Sequence, residues 1–189
     1  MQTNILVTPQ GYDFKANAIV STTAAQLDLL LAALIERVKD ANVEQLEWQP
    51  RRGVNTIGML LAHIAVAEVY WVSIADRRIE SDEELDQLIQ DIVGIRMEED
   101  GIPISKDDVH PRALAGKTAA GYLAMLRRAR AMTHESLRDW EDSSLQETWM
   151  TQGRVISRSW VLYHLVEHFA HHLGQLSQLV SLNYMFQCG

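Results

Sequence analysis

The chain has 189 residues, seven histidines, one cysteine and a formal net charge of −8, and this length predicts a single domain over residues 1–189. One cysteine excludes an intramolecular disulfide and a zinc site built only from cysteines. The acidic balance argues against a nucleic-acid partner, because phosphate binding needs clustered Lys and Arg, but it leaves metal binding by histidine open.

The N-terminal part of the chain predicts a helix and no targeting signal. The first ten residues contain no basic segment and no continuous apolar core, so we expect a cytoplasmic protein. Thr23 and Gln26 fit a capping box before a leucine-rich stripe, which predicts a helix over Thr23–Lys39. The segment Glu44–Val54 contains a proline and a glycine, which favour a turn.

A second helix is predicted over Thr56–Arg78, with Asn55 or Thr56 as its N-cap. It is apolar and long enough to span a membrane. It also contains a histidine and Glu68, and an acid in mid-membrane is costly, so we expect a buried helix and no membrane partner. Glu68 is interpreted as a buried acid paired with an Arg or Tyr, or alternatively as a proton acceptor or a support for a metal ligand.

The link from the second to the third long helix, Ile79–Lys117, is unusually long for a helical bundle. It holds eleven acids and four bases, and therefore most of the net charge. Ser81 and Glu84 fit a capping box, which predicts a short extra helix over Ser81–Ile92. The rest of the link is either a solvated surface excursion or a functional element, namely a lid over a site or a dimer contact.

Two further long helices follow, predicted over Thr118–Trp140 and Ser157–Leu182, and Trp149–Val155 before the last one is a short hairpin or a loop. Basic residues of the third helix are interpreted as a solvated face, although they could attract an anionic substrate; these are Arg127, Arg128 and Arg130. Four amphipathic helices without convincing strands predict an all-α fold, an antiparallel four-helix bundle with a long link between helices 2 and 3.

Four of the seven histidines crowd into the last helix, and their spacing of four residues places side chains on one helical face. On a helical wheel His168 and His172 flank the apolar stripe, whereas His171 points away from it. His63 lies at the edge of the apolar face of the second helix. Three such histidines can converge on one ion, but histidines bonded to water at the edge of a core would show the same pattern.

Gln175 lies beside His168 on the same wheel. Its amide could orient a metal ligand or a bound water, or it could be an ordinary amide on the helix surface. Glu68 and Gln175 are therefore weak candidates for a catalytic role. The catalytic residues are otherwise unknown at this point.

Three segments resemble the DinB/YfiT-like superfamily. The last helix reads HLVEHFAHHLGQLSQL, in which His168, His172, Gly174 and Gln175 form a His-x3-His-x-Gly-Gln pattern. The second helix reads NTIGMLLAHIAVAEVYW, and LEWQP precedes it. The three segments occur in the family's order, and the resemblance covers about residues 22–182.

The resemblance implies a four-helix bundle, a homodimer and a divalent metal held by three side chains, which here are His63, His168 and His172. Zinc or nickel is the expected metal, and imidazole ligands do not decide between the two. Some members of the family are transferases that use a low-molecular-weight thiol on an electrophilic small molecule. A metal-dependent hydrolase and a non-catalytic metal-binding stress-response protein are the alternatives.

The lone cysteine, Cys188, is a poor catalytic candidate because chain termini are commonly mobile. If the chemistry involves a thiol, we therefore expect the thiol to come from outside the chain.

Overall fold

Helices account for most of the structure, a computed structural model that describes residues 6–13, 15–76, 79, 81–104, 109–151 and 153–187. Cys188 and parts of the long link lie outside these residues. Within the described residues the chain forms six α-helices: α1 Ala18–Val38, α2 Val43–Glu47, α3 Ile57–Asp76, α4 Asp82–Val93, α5 Ala119–Arg138 and α6 Arg158–Gln187. The prediction of a mainly helical fold is confirmed.

A β-hairpin precedes α6 and departs from the all-α prediction. Strands β1 (Thr148–Thr151) and β2 (Arg154–Ser157) pair antiparallel, with Trp149 opposite Ile156. Gly153 in the turn has a φ of 73°, a conformation that glycine adopts without strain. Of the two structures predicted for this segment, the hairpin is the one observed.

Four helices begin at a side-chain hydroxyl cap, and two of these caps, at Thr56 and Ser81, were predicted from the sequence. The side-chain hydroxyls at these positions each accept a hydrogen bond from the backbone N–H three residues on, at 3.0–3.2 Å. The capping residues are Thr56, Ser81, Thr118 and Ser157. The short helix predicted within the long link is therefore confirmed as α4.

The predicted start of α1 is wrong by five residues. Thr23 lies inside the helix, where its hydroxyl donates to the carbonyl of Ile19. The carboxylate of Asp142 instead accepts from the backbone N–H groups of Ile19 and Val20 at 2.9 and 3.1 Å. This cap comes from a segment more than a hundred residues away, so the local sequence does not reveal it. The short helix α2, capped by Asn42, was also missed.

Helix α3 occupies the centre of the fold and contacts α4, α5 and α6, while α1 packs against α5 and α6. Helices α1 and α3 are long and apolar enough to cross a membrane by length and composition alone. In α3 most of the apolar stretch is buried inside the fold, which is how the core helix of a soluble protein behaves. Both helices are consistent with the expected soluble core.

Candidate metal centre

Three histidines from two helices meet between α3 and α6. His63 comes from the middle of α3, and His168 and His172 lie one turn apart on α6. Their ligand nitrogens all lie within 4.8 Å of one another. The Nε2 atoms of His63 and His168 are 3.0 Å apart, and the ring centroids of His168 and His172 are 4.4 Å apart. The structure thus brings together the three residues that the sequence singled out.

The buried carboxylate of Asp100 orients the first of these rings. Asp100 follows α4 in a 3₁₀ turn, Met97–Asp100, and its Oδ2 lies 2.8 Å from Nδ1 of His63. Its Oδ1 accepts from the backbone N–H of Ile102, also at 2.8 Å. A carboxylate only accepts, so Nδ1 of His63 donates and Nε2 keeps its lone pair facing His168. A carboxylate behind a histidine ring is the usual support of a metal ligand.

Gln175 supports the third ring in a similar way. Its Oε1 lies 2.9 Å from Nδ1 of His172, and its Nε2 lies 2.9 Å from Nε2 of the exposed His171. The amide oxygen accepts the Nδ1 proton, so Nε2 of His172 keeps its lone pair. Gln175 therefore holds a ligand in place, which was one of its two interpretations, and His171 stays outside the cluster.

Two of the three rings, those of His168 and His172, have lowered pKa values that favour their neutral form. Burial, together with the neighbouring rings of His172 and His63, lowers the pKa of His168 to about 3. Burial also lowers the pKa of His172, although its hydrogen bond with Gln175 acts in the opposite direction. Neutral imidazole is the form that binds a metal ion, so no proton has to be displaced at neutral pH.

These residues fit a divalent transition ion. Metal–nitrogen bonds of 2.0–2.1 Å place two ligand nitrogens on one tetrahedral ion about 3.3 Å apart. The 3.0 Å separation of the Nε2 atoms of His63 and His168 is close to this value, and no separation within the triad exceeds 4.8 Å. Three histidines, without a fourth protein ligand among the described residues, form the open type of site that leaves a position for substrate or water.

A cavity of about 380 Å³ opens beside the triad. Helix α3 and the segment after α4 form most of its wall, which is largely apolar and aromatic. The lining residues are His63, Val66, Ala67, Tyr70, Trp71, Met97, Glu98, Asp100, Ile102 and His168. The link between the long helices therefore contributes to the site, and Asp100 is 2% exposed. The interpretation of the whole link as a solvated excursion is wrong for this segment.

His164 and Trp160 extend the aromatic wall away from the triad. The two rings stack with centroids 4.8 Å apart and planes 9° apart, and both contact the indole of Trp71. His164 also borders His168, with ring centroids 5.4 Å apart. Trp71, which lines the cavity, is thus held by contacts with two stacked rings.

Glu68 lies elsewhere on α3, in a second buried cluster. Its two oxygens accept from Nε and Nη2 of Arg130 at 2.7 and 3.1 Å, and Nη1 of Arg130 donates to Asp28 at 3.1 Å. His134 bonds both Asp28 and the hydroxyl of Tyr12. The prediction of a buried acid paired with an arginine is confirmed for Glu68.

The basic residues of α5 do not behave as one solvated face. Arg130 is 4% exposed, so its assignment to that face is wrong: the neighbouring acids Glu68 and Asp28 draw it into the core. Arg128 donates to the carbonyls of Ile92 and Val93 and so closes the end of α4. Neither guanidinium lines the cavity beside the triad.

Asp100 is the residue of the centre that the sequence did not indicate. It was counted only among the acids of the link, because it lies 37 residues from His63 in irregular structure. The sequence gives only a weak indication of its role, which is the position of this acid directly before Gly101. In the structure Gly101 has a φ of 78°, which marks a sharp bend of the chain.

One comparison with known proteins shows the family of this chain. The sequence matches the model of the DinB superfamily over residues 26–176, which is more than half of the chain. Among curated proteins, no significant match was found.

Two solved structures share the fold. A conserved protein from Enterococcus faecalis is 15% identical, with a TM-score of 0.64 over 86% of this chain and 95% of its own. A DinB-like protein from Bacillus cereus is 17% identical, with a TM-score of 0.59 over 85% of this chain and 90% of its own.

Proposed function

Because the chain belongs to the DinB superfamily, we propose that it is a metal-dependent transferase that joins a low-molecular-weight thiol to an electrophilic small molecule. The observation that carries the proposal is the meeting of three histidines beside a cavity, with hydrogen bonds that hold the rings of His63 and His172 in place. We also propose that the chain forms an antiparallel four-helix bundle, that it is a homodimer and that it is located in the cytoplasm.

His63, His168 and His172 would hold one zinc or nickel ion per chain. When bound, such an ion supplies positive charge that lowers the pKa of a thiol and so favours its nucleophilic thiolate form. Asp100 and Gln175 keep the lone pairs of His63 and His172 directed into the cluster. The apolar wall excludes water and positions the electrophile beside the triad.

Among the described residues, the lining of this cavity contains no Cys, Ser, Thr or Lys that could act as a covalent nucleophile. This absence favours a nucleophile from solution, either a thiol or water. In thiol transfer to a chloronitroarene, a carbon–sulfur bond forms, the carbon–chlorine bond breaks, chloride leaves and the thiol proton passes to the solvent.

The proposal can be tested with protein purified without a histidine tag, a small thiol and chlorodinitrobenzene, with the conjugate detected by absorbance. We expect enzyme-dependent conjugation that stops after removal of metal by a chelator and returns when zinc or nickel is added. His168→Ala should abolish the activity and His171→Ala should retain it.

Conjugation that survives metal removal would contradict the proposal. Release of the phenol in place of the thioether would favour the hydrolase alternative, because water would then be the nucleophile. A metal-loaded protein inactive with several thiols and electrophiles would favour the non-catalytic alternative.

A further inference from the structure

The cavity beside the triad has an uneven charge distribution. Among the described residues that line it, two carry acidic side chains, Glu98 and Asp100, and none is Lys or Arg. Asp100 is buried and already bonded to His63 and to the backbone at Ile102. Glu98 also lines the cavity, and its side chain is exposed to solvent.

The rest of the wall offers apolar and aromatic surface. Tyr70 and Trp71 contact each other edge to face, with ring centroids 5.1 Å apart, and Trp71 also contacts the ring of His164 edge to face. Val66, Ala67 and Ile102 complete this surface. A planar apolar group would bury its faces here without leaving a polar group unpaired.

Electrostatics limits what else such a molecule can carry. The two carboxylates already balance the charge of one divalent ion in the site. A thiolate ligand would add one negative charge at its sulfur. Because no described lining residue is Lys or Arg, a second negative charge on the ligand would have no positive partner in the cavity. A carboxylate on the body of the ligand would also be repelled by the carboxylate of Glu98 in the same cavity.

We propose that the site selects ligands with an uncharged aromatic or branched apolar body, and that Glu98 is a specificity-determining residue that rejects a second negative charge. This inference rests on the proposed function, since it names the class of molecule that the same site takes. It predicts that small thiols and electrophiles bearing carboxylates are poor ligands of this protein.

The test compares benzyl mercaptan with its para-carboxylated derivative, which has the same shape and one additional charge. Binding to zinc-loaded protein is measured by calorimetry. We expect the uncharged thiol to bind at least about tenfold more tightly, the size of effect that one nearby like charge produces. Glu98→Gln should reduce this ratio to about threefold or less.

Glu83→Gln is the matched control, because Glu83 is an exposed acid on α4 that does not line the cavity. It should leave the ratio unchanged. Ala67→Leu, which adds bulk at the cavity wall, should weaken both thiols by a similar factor while the metal content stays the same. Equal binding of the two thiols by the wild type, a ratio that Glu98→Gln does not lower, or unchanged binding in Ala67→Leu would overturn the inference.

A metal-free arm separates this inference from the proposed function. Benzyl alcohol and its para-carboxylated derivative are compared by ligand-observed NMR with protein stripped of metal. Preference for the uncharged alcohol, reduced in Glu98→Gln, supports selection by the cavity even if the protein shows no transferase activity. No preference in this arm would overturn the role of Glu98 whether or not the metal-loaded protein is active.

Discussion

Helix α3 contributes to two polar clusters that compensate the burial of their polar groups in opposite ways. Around Glu68 the cluster pairs opposite charges, with Arg130 between two acids. Around His63 the cluster gathers three rings of the same kind, and only Asp100 brings a charge. The first cluster satisfies its groups within the chain, whereas in the second Asp100 and Gln175 leave the Nε2 lone pairs of His63 and His172 available to a ligand beside a cavity.

This difference distinguishes a polar cluster that stabilises the fold from a polar cluster that is suited to bind a ligand. A buried ion pair whose hydrogen bonds are all made within the protein needs no ligand, and its loss destabilises the fold. A cluster of neutral imidazoles gains little from its own members and becomes stable when a cation binds it. The two clusters should therefore respond to substitution in opposite ways, one through stability and the other through metal affinity.

The largest effect on stability is expected from Glu68→Gln. It leaves the buried guanidinium of Arg130 with only the half-exposed Asp28 as a charged partner, which should lower the free energy of unfolding by about 3–5 kcal/mol. Urea denaturation measures the change, with the exposed acid Glu135 as control: Glu135→Gln should stay within about 0.5 kcal/mol of wild type.

Metal content per folded chain should be unchanged in Glu68→Gln, because Glu68 makes no hydrogen bond to the triad in the described structure. A loss of metal from a folded variant would show that the two clusters are coupled and would break the comparison.

A second, smaller effect is expected from Asp100→Asn. Removing the charge behind His63 should weaken metal binding at least about tenfold, the lower end of what such supporting residues contribute. Competition with a chromogenic chelator measures the affinity. Stability of the metal-free protein should change less than in Glu68→Gln, and an unchanged affinity would show that Asp100 serves folding alone.

The smallest effect concerns the pH dependence of Asp28. Burial raises the pKa of this carboxyl, but the hydrogen bond to His134 and the charges of His134 and Arg130 outweigh it, so the pKa lies below its usual value of 3.8. Its contribution to stability is therefore present above about pH 4 and is lost as the pH falls through the lowered pKa.

The side chain of Asp28 is 41% exposed, so solvent screening limits this contribution to less than about 1 kcal/mol. Urea denaturation of wild type and Asp28→Asn between pH 7 and pH 3 should show a difference in stability that shrinks toward pH 3. A difference that grows with acidity would contradict the assigned sign.

Regular local patterns made parts of the site predictable. The spacing of four residues places His168 and His172 on one face of α6, and the apolar stripe of α3 places His63 at its edge. Both predictions depend only on helical geometry, which neighbouring residues determine. The hydroxyl caps of α3 and α6 were predictable for the same reason.

The features that were not predicted from the sequence depend on contacts between distant segments. Asp100 reaches His63 from irregular structure, and Asp142 caps α1 across the fold. Arg130 was placed with its exposed neighbours because its burial depends on Glu68 and Asp28, which lie on two other helices. None of these contacts has a periodic pattern within the chain.

Metal content of protein purified without a histidine tag tests the central claim most directly. Elemental analysis of wild type, His168→Ala and the matched control His171→Ala, each after gel filtration, gives metal per chain. We expect about one transition ion per chain in wild type and His171→Ala, and almost none in folded His168→Ala. Wild-type protein that binds no ion when supplied with zinc or nickel, or His168→Ala that keeps a full ion, would contradict it.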